Sequence, residues 1–441
     1  MRNGTKRSSK TPASAMSGER VNRRQFVGKS VAAAGSAALC CAPAIAQGGA
    51  HVVVIGGGFA GATCARQLKR LDRKIQVTLV ETNPTFIACP FSNAVIAGFR
   101  ELSAQRFTYE KVAADGIALA VARATAVEPG ARIISLADGQ RLSYDRLILA
   151  PGIDIRWDAL PGYGEAAAAQ MPHAWKAGEQ TLLLRRQLET MEDGGLVVIS
   201  APANPFRCPP GPYERASLIA HYLKARKPRS KLIILDAKDV FSKQRLFQSA
   251  WKELYPGILE WVPLSSGGNV TSVDPNTNTL VTDFEKYRAN VANVIPPQRA
   301  GGIAERAGVA DVSGWCPIDP VTFESRLQAN VHVIGDAAIA GAMPKSAFGA
   351  NAQAKTCAMA VVKLLRGETP LSPKLINTCY SLVAPDYGIS IAGVYHAVDG
   401  QLTEVPGSGG VSPSDAPRST RSAEANLAED WFRTTTAEVF G

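Results

Sequence analysis

The run Val52-Val53-Val54-Ile55-Gly56-Gly57-Gly58-Phe59-Ala60-Gly61 constrains this chain more than any other stretch of it. Four apolar, β-branched residues read as a buried strand, and a G-x-G-x-x-G turn follows at once. A helix is expected from about Ala60 to Leu71 and a second strand from Gln76 to Val80, which together make one β-α-β unit. In such a unit Gly56 permits the tight turn, Gly58 lets the backbone approach a pyrophosphate, and Gly61 lets the helix lie close on the sheet. The free N–H groups and dipole of the helix N-terminus favour the phosphates. Glu81 ends the second strand about 20 residues later, where a carboxylate accepts bonds from the hydroxyls of a ribose. The turn therefore predicts a dinucleotide site at Gly56, Gly58, Gly61 and Glu81.

The same pattern recurs. Gly195 to Ser200 reads as a strand, Tyr213 to Lys224 as a helix and Lys231 to Leu235 as a strand. Asn330 to Asp336 is a further strand ending in a polar turn, ahead of an Ala-rich helix from Gly349 to Leu365. Beyond Pro370 come short strands near Gly388 to Tyr395, a loop at Gly407 to Ser419 and a terminal helix near Ala423 to Phe432. The expected fold is α/β, with two tandem Rossmann-like dinucleotide-binding domains plus a small α+β C-terminal domain. Its bounds are 47–161 with 303–375 for the first domain, 162–302 for the second and 376–441 for the third.

A formal charge of +10 raises the question of a polyanionic partner. Residues 1–46 hold eight Lys and Arg against Glu19 alone, so +7 of the +10 lies there and 10 − 7 = +3 remains. That is no footprint for nucleic acid. The segment itself runs Asn22-Arg23-Arg24-Gln25-Phe26, then an Ala-rich stretch, then Ala44-Ile45-Ala46, and reads as a twin-arginine export signal cleaved after Ala46. A membrane anchor is the competing reading, but Gly35 and Pro43 interrupt a weakly apolar stretch. Neither Cys40 nor Cys41 sits in a convincing lipoprotein motif. The expectation is a periplasmic protein without stable membrane insertion, in a compartment where disulfides persist. The mature chain would keep Cys64, Cys89, Cys208, Cys316, Cys357 and Cys379. No residue is assigned to a metal.

Two segments distinguish the bound dinucleotide. Leu147 to Gly152 (LILAPG) resembles the strand-to-linker motif of the two-domain disulfide-reductase-type flavoproteins, and Val333 to Ala337 (VIGDA) resembles their second FAD motif. The resemblance implies FAD, with Asp336 bonding its ribityl and phosphate portion. In the second fold the Gly-rich turn is replaced by Ser200-Ala201-Pro202-Ala203-Asn204-Pro205-Phe206-Arg207-Cys208-Pro209-Pro210-Gly211-Pro212. Proline has no N–H, so five of them remove donors that a second pyrophosphate would need. Loss of nicotinamide binding is expected, and Cys208 becomes a candidate redox thiol with Cys379 its best-placed partner. Cys64, Cys316 and Cys357 read as small buried apolar residues.

The run Phe86 to Asn93 (FIACPFSN), the run Cys208 to Ala216 (CPPGPYERA), Gly314 to Pro317 (GWCP) and Cys379 together resemble the flavoprotein subunit of flavocytochrome c sulfide dehydrogenase. The resemblance extends from about residue 50 to Trp431-Phe432. It implies a thioether from Cys89 to FAD, a redox disulfide between Cys208 and Cys379, a proton-handling Glu214, and Trp431 near the flavin. A glutamate on a helix surface is the plainer reading of Glu214. The implied activity is oxidation of sulfide to sulfane sulfur or polysulfide, with electrons passing from FAD to a c-type cytochrome subunit in a heterodimer. The chain has no C-x-x-C-H, so haem would belong to that partner. Competing readings are a sulfide:quinone oxidoreductase and a sulfur-carrier or assembly protein without catalysis.

Overall fold

The computed structural model describes residues 49–441. The export leader expected over residues 1–46 lies outside the described residues. The first β-α-β unit forms as its sequence demands: strand His51–Ile55, helix Phe59–Leu71 and strand Gln76–Glu81. These strands sit in a five-stranded parallel sheet ordered Val331–Val333, Arg146–Leu149, His51–Ile55, Gln76–Glu81 and Ala118–Val121. Parallel strands covered on both faces are continuous apolar runs, and Val52, Val53 and Val54 are fully buried. Close packing explains two of the three glycines. A Cβ on Gly61 would collide with the Gly56 carbonyl, and one on Gly56, at φ 100°, with the Ala150 carbonyl. A Cβ on Gly58 would press on the edge of the Phe86 ring, at 3.3 Å, a tight contact with a side chain rather than with backbone.

The second unit repeats the plan with Leu196–Ala201, helix Gly211–Arg226 and Lys231–Asp236, in a parallel sheet ordered Leu259–Val262, Lys231–Asp236, Leu196–Ala201 and Val291–Val294. The chain passes between the two folds along an antiparallel ribbon, Ile153–Ile155 against Gln298–Ala300. Helix Ala347–Leu365 then packs on Phe59–Leu71, with Asn351 Nδ2 donating to Thr63 Oγ1 at 3.0 Å. Cys64 and Cys357 lie on these two helices and are fully buried, as is Cys316, in keeping with their reading as apolar filler.

The C-terminal part departs from expectation in extent. Instead of short strands there is a long hairpin, Lys374–Ala384 against Tyr387–Val398, turning at Pro385-Asp386. Cys379 is therefore held within a ladder, opposite Ile391. The terminal helix runs over Arg418–Phe440 and continues well past Phe432. Its Thr434-Thr435-Thr436 run is poor helix former on propensity, but packing overrides it. Thr436 Oγ1 bonds back to the Phe432 carbonyl at 2.8 Å, and the Phe440 ring stacks on Phe107 and Phe86 with centroids 5.1 Å away.

These parts meet at Arg215, which is 2% exposed. Its guanidinium donates to Asn93 Oδ1 at 3.0 Å in the first fold, to Asn293 Oδ1 at 2.9 Å in the second sheet, and to the carbonyls of His173 and Ala174 at 2.9 and 2.7 Å. It also lies 5.0 Å from the centre of the Trp175 ring. Burial lowers its pKa to about 9, which still leaves it charged at neutral pH. Replacing it by Met would strand three buried acceptors, Asn93 Oδ1, Asn293 Oδ1 and the Ala174 carbonyl, while the His173 carbonyl keeps Asn293 Nδ2. Arg215→Met is expected to cost about 3–5 kcal/mol of stability, measurable by denaturant unfolding, with Arg215→Lys recovering only part of the loss.

Candidate functional site

One large cavity lies where the two folds and the C-terminal hairpin converge. Gly58, Cys89, Cys208, Glu214, Asp336, Cys379 and Trp431 all line it. Seven of the ten residues singled out from the sequence are thus brought together; Gly56, Gly61 and Glu81 shape the turn behind Gly58. Glu81 Oε2 accepts the Gly57 N–H at 2.6 Å, which places its carboxylate against the glycine turn.

The cavity can be tested as a flavin site on its own atoms. A buried polar atom without a partner is uncommon in a folded protein and asks for an explanation. Asp336 Oδ1, Trp175 Nε1 and Trp431 Nε1 are buried and unpartnered, and all three residues line this cavity. An acceptor and two N–H donors around an otherwise largely apolar space, next to a glycine a phosphate can approach, suit the polar edges and flat ring of FAD. Burial raises the Asp336 carboxyl above its ordinary pKa, with Arg207 and Lys345 opposing the rise. Trp431 lies nearly parallel to Phe348, 18° between planes, and forms part of the wall.

The cysteine loop is fixed from behind. Cys208 has a left-handed backbone, φ 57°, and its N–H donates to the Lys345 carbonyl at 2.8 Å, joining the second fold to the segment after Asp336. Lys345 Nζ in turn donates to the carbonyls of Asp336 and Ala338 and stands 4.0 Å from the centre of the Trp315 ring. Arg207 reaches from this loop to the Trp175 carbonyl, close to Cys89. Both Cys208 and Cys379 are thiols here, and burial raises both pKa values. Each stands near Glu214, whose charge opposes ionisation of either.

Glu214 is no surface glutamate. Its Oε1 accepts the Leu382 N–H at 2.8 Å and its Oε2 accepts from Asn93 Nδ2 at 2.7 Å, tying the hairpin to the first fold beside the two cysteines. Burial is the largest influence on its carboxyl and raises the pKa. The carboxyl thus keeps its proton towards more neutral pH than a free glutamate does.

The second fold offers little room where its own nucleotide would sit. Asp236 ends the second strand there, the position Glu81 holds in the first fold, and is fully buried. Its carboxylate is saturated by Tyr213 Oη at 2.6 Å, Trp261 Nε1 at 2.9 Å and Lys238 Nζ at 2.5 Å. Phe241 stacks on Tyr213 with centroids 3.6 Å apart, and Lys238 Nζ donates to the Pro202 carbonyl at 2.7 Å.

Arg215 and Asn93 lie within the runs that carry the resemblance, but nothing local in the sequence marks them as organisers. Lys243 is equally unmarked; it is 7% exposed, and its Nζ donates to the Cys379 carbonyl at 2.9 Å. No motif surrounds Lys243, and only the folded chain brings it to the hairpin.

Known proteins resemble this chain over most of the described residues. Residues 181–296 match the family model of the flavocytochrome c sulfide dehydrogenase flavoprotein chain, central part. Residues 371–440 match the flavin-binding model of the same family, and residues 50–192 the pyridine nucleotide-disulphide oxidoreductase model. The sulfide dehydrogenase [flavocytochrome c] flavoprotein chain of Chlorobaculum thiosulfatiphilum is 60% identical over 45 residues, 10% of this chain and 94% of that sequence. Mitochondrial sulfide:quinone oxidoreductase of Mus musculus is 25% identical over 312 residues, 67% of each chain. The X-ray structure of sulfide:quinone oxidoreductase from Aquifex aeolicus superposes with a TM-score of 0.71 at 17% identity, over 88% of this chain and 92% of that one, a likeness of fold. The chain belongs to the flavocytochrome c sulfide dehydrogenase flavoprotein family.

Proposed function

We propose that this chain is the sulfide-oxidising subunit of a periplasmic flavocytochrome, in which a Cys208–Cys379 disulfide receives sulfide and FAD passes the electrons to a c-type cytochrome subunit. The observation that carries the reading is the convergence of Cys208, Cys379 and Glu214 on the same cavity as Cys89, Asp336 and Trp431. Bound FAD supplies a two-electron acceptor there. Asp336 and the two tryptophan N–H groups would hold its polar edges, Gly58 its phosphates and Cys89 a covalent link that keeps it in place after export. Asp236, enclosed by its own neighbours, supports a second fold that no longer takes a nicotinamide donor.

Sulfide is a soft nucleophile and a disulfide a matched electrophile. Attack on one sulfur leaves a persulfide there and a thiolate on the other; a second sulfide or thiol then releases the sulfane sulfur. Glu214, its pKa raised by burial and its carboxyl held in place by Asn93 and Leu382, exchanges a proton with the sulfur atoms beside it. The exposed residues Asn426, Glu429, Asp430 and Arg433 make the outer face of the C-terminal helix mostly polar, with Leu427 exposed among them, and no helix among the described residues is long and apolar enough to cross a membrane. The polar face favours a protein acceptor over a membrane quinone.

Three outcomes are expected. Peptide mass spectrometry of the purified protein finds the flavin mass on the peptide containing Cys89, and a bare Cys89 peptide from fully flavinylated protein would remove that part of the proposal. Anaerobic sulfide bleaches the flavin absorbance of the oxidised protein, whereas Cys208→Ser loses the fast phase by at least about a hundredfold; equal rates would rule out the disulfide route. With sulfide as donor, a c-type cytochrome is reduced faster than a soluble quinone, and the reverse order would point to the quinone enzyme instead.

A further inference from the structure

We propose that Lys243 sets the direction of the sulfur exchange: its ammonium receives the negative charge on Cys379, so sulfide attacks Cys208 and the persulfide forms there. This rests on the disulfide reading above and assigns its two sulfurs different tasks.

Lys243 immediately precedes helix Gln244–Leu254, with left-handed backbone at φ 61° and ψ 25°. That conformation is uncommon for a residue other than glycine, and such strain persists where surrounding structure holds it. The side chain crosses from the second fold to the hairpin and is held there by Cys379 and Ser381. Nζ donates to the Cys379 carbonyl at 2.9 Å and to Ser381 Oγ at 2.8 Å, and stands 3.9 Å from Cys379 Sγ. Residues 379 and 381 share one face of the strand, so a single ammonium reaches both.

Among the described residues Lys243 makes no salt bridge within 4.0 Å. The groups that bond this buried ammonium are all neutral, which is unfavourable, and a negative charge on Cys379 would give it a bonded partner of opposite sign. Glu214 is the acid nearest this pair of groups, but both its oxygens accept bonds from Leu382 and Asn93. Opening the disulfide puts a thiolate against the ammonium. Cys208 feels the charges of Arg207 and Lys243, but no donor among the described residues bonds its Sγ, and the guanidinium of Arg207 donates to the Trp175 carbonyl. The electrostatics agree in direction. Burial raises both thiols; at Cys379 Lys243 is the largest influence opposing it and also bonds the sulfur, whereas at Cys208 Cys379 and Glu214 add to the rise and the opposition of Arg207 and Lys243 ranks behind them.

The step balances within the site. The electron pair of HS⁻ forms a bond to Cys208 Sγ, the Cys208–Cys379 bond breaks, and its pair stays on Cys379 Sγ. The proton of HS⁻ remains on the new persulfide, and no outside oxidant is used. In such exchanges the sulfur whose thiolate is better stabilised leaves faster.

The test uses oxidised holoprotein mixed anaerobically with less than one equivalent of sodium sulfide, quenched within the first turnover by a thiol-alkylating reagent and digested for mass spectrometry. The added sulfur is expected on the Cys208 peptide, with Cys379 alkylated as a simple thiol. In Lys243→Met the yield of Cys208 persulfide at the same quench time falls about tenfold and the sulfur divides between both peptides, whereas Lys243→Arg restores the wild-type site. In the reduced protein, the pH midpoint for alkylation of Cys379 rises in Lys243→Met. That midpoint is read against Glu214 and Cys208, the other ionisable groups facing Cys379, which the variant leaves in place. Added sulfur chiefly on wild-type Cys379 would overturn the proposal. So would an unchanged distribution and midpoint in Lys243→Met; if that variant does not fold, the wild-type and Lys243→Arg distributions decide. Wild-type protein that neither bleaches nor forms a persulfide would instead overturn the sulfide-oxidation reading on which this one stands.

Discussion

The buried charge of Arg215 is the constraint on which the site depends. A guanidinium removed from water is tolerated only where its donors are matched, and here the acceptors come from three separate parts of the chain. Glu214, its neighbour on the same helix, adds the hairpin through Leu382 and returns to the first fold through Asn93. Two successive side chains thus clamp both dinucleotide folds and the C-terminal hairpin around one space. The helix starts at Gly211, three residues after Cys208, so the clamp also fixes where the cysteine loop enters the cavity.

From that clamp the chemistry follows by proximity. Cys89 and Asn93 come from one loop and short helix of the first fold, Cys208 from the loop that stands where a second glycine turn would be, and Cys379 from the hairpin. Burial raises the pKa values of Cys208, Cys379 and Glu214 alike, so charge appears on any of them only where a neighbour supports it. The second fold has meanwhile closed around Asp236, whose three internal donors occupy the carboxylate a ribose would need. The cavity lined by Gly58, Asp336 and Trp431 also receives Cys208 from the second fold and Cys379 from the hairpin.

Much of this was legible in the sequence because its carriers are local. A glycine turn between a buried strand and a helix has one physical meaning, and five prolines in a loop visibly remove N–H donors. Cys208 stood out in the loop that replaces a glycine turn, with Cys379 as its candidate partner, and Cys89 in a short run carrying the resemblance; all three line the cavity. What was not legible depends on distant parts. The terminal helix outran its propensity because Phe440 has an aromatic cluster to enter, and the hairpin exceeded its expected strands because its pairing is made by residues far from the turn. Arg215 looked like one more basic residue in a helix, and Lys243 had no pattern at all. Their roles exist only in the bonds they make across the fold.

The account holds that an FAD and a disulfide share this cavity as one redox unit. Anaerobic titration of the oxidised holoprotein with dithionite, followed through the flavin absorbance, tests that most directly, since a flavin and a disulfide are each two-electron couples. The account predicts uptake of about four electrons per flavin, falling to about two in Cys208→Ser. Uptake of about two electrons by the unaltered protein would contradict it.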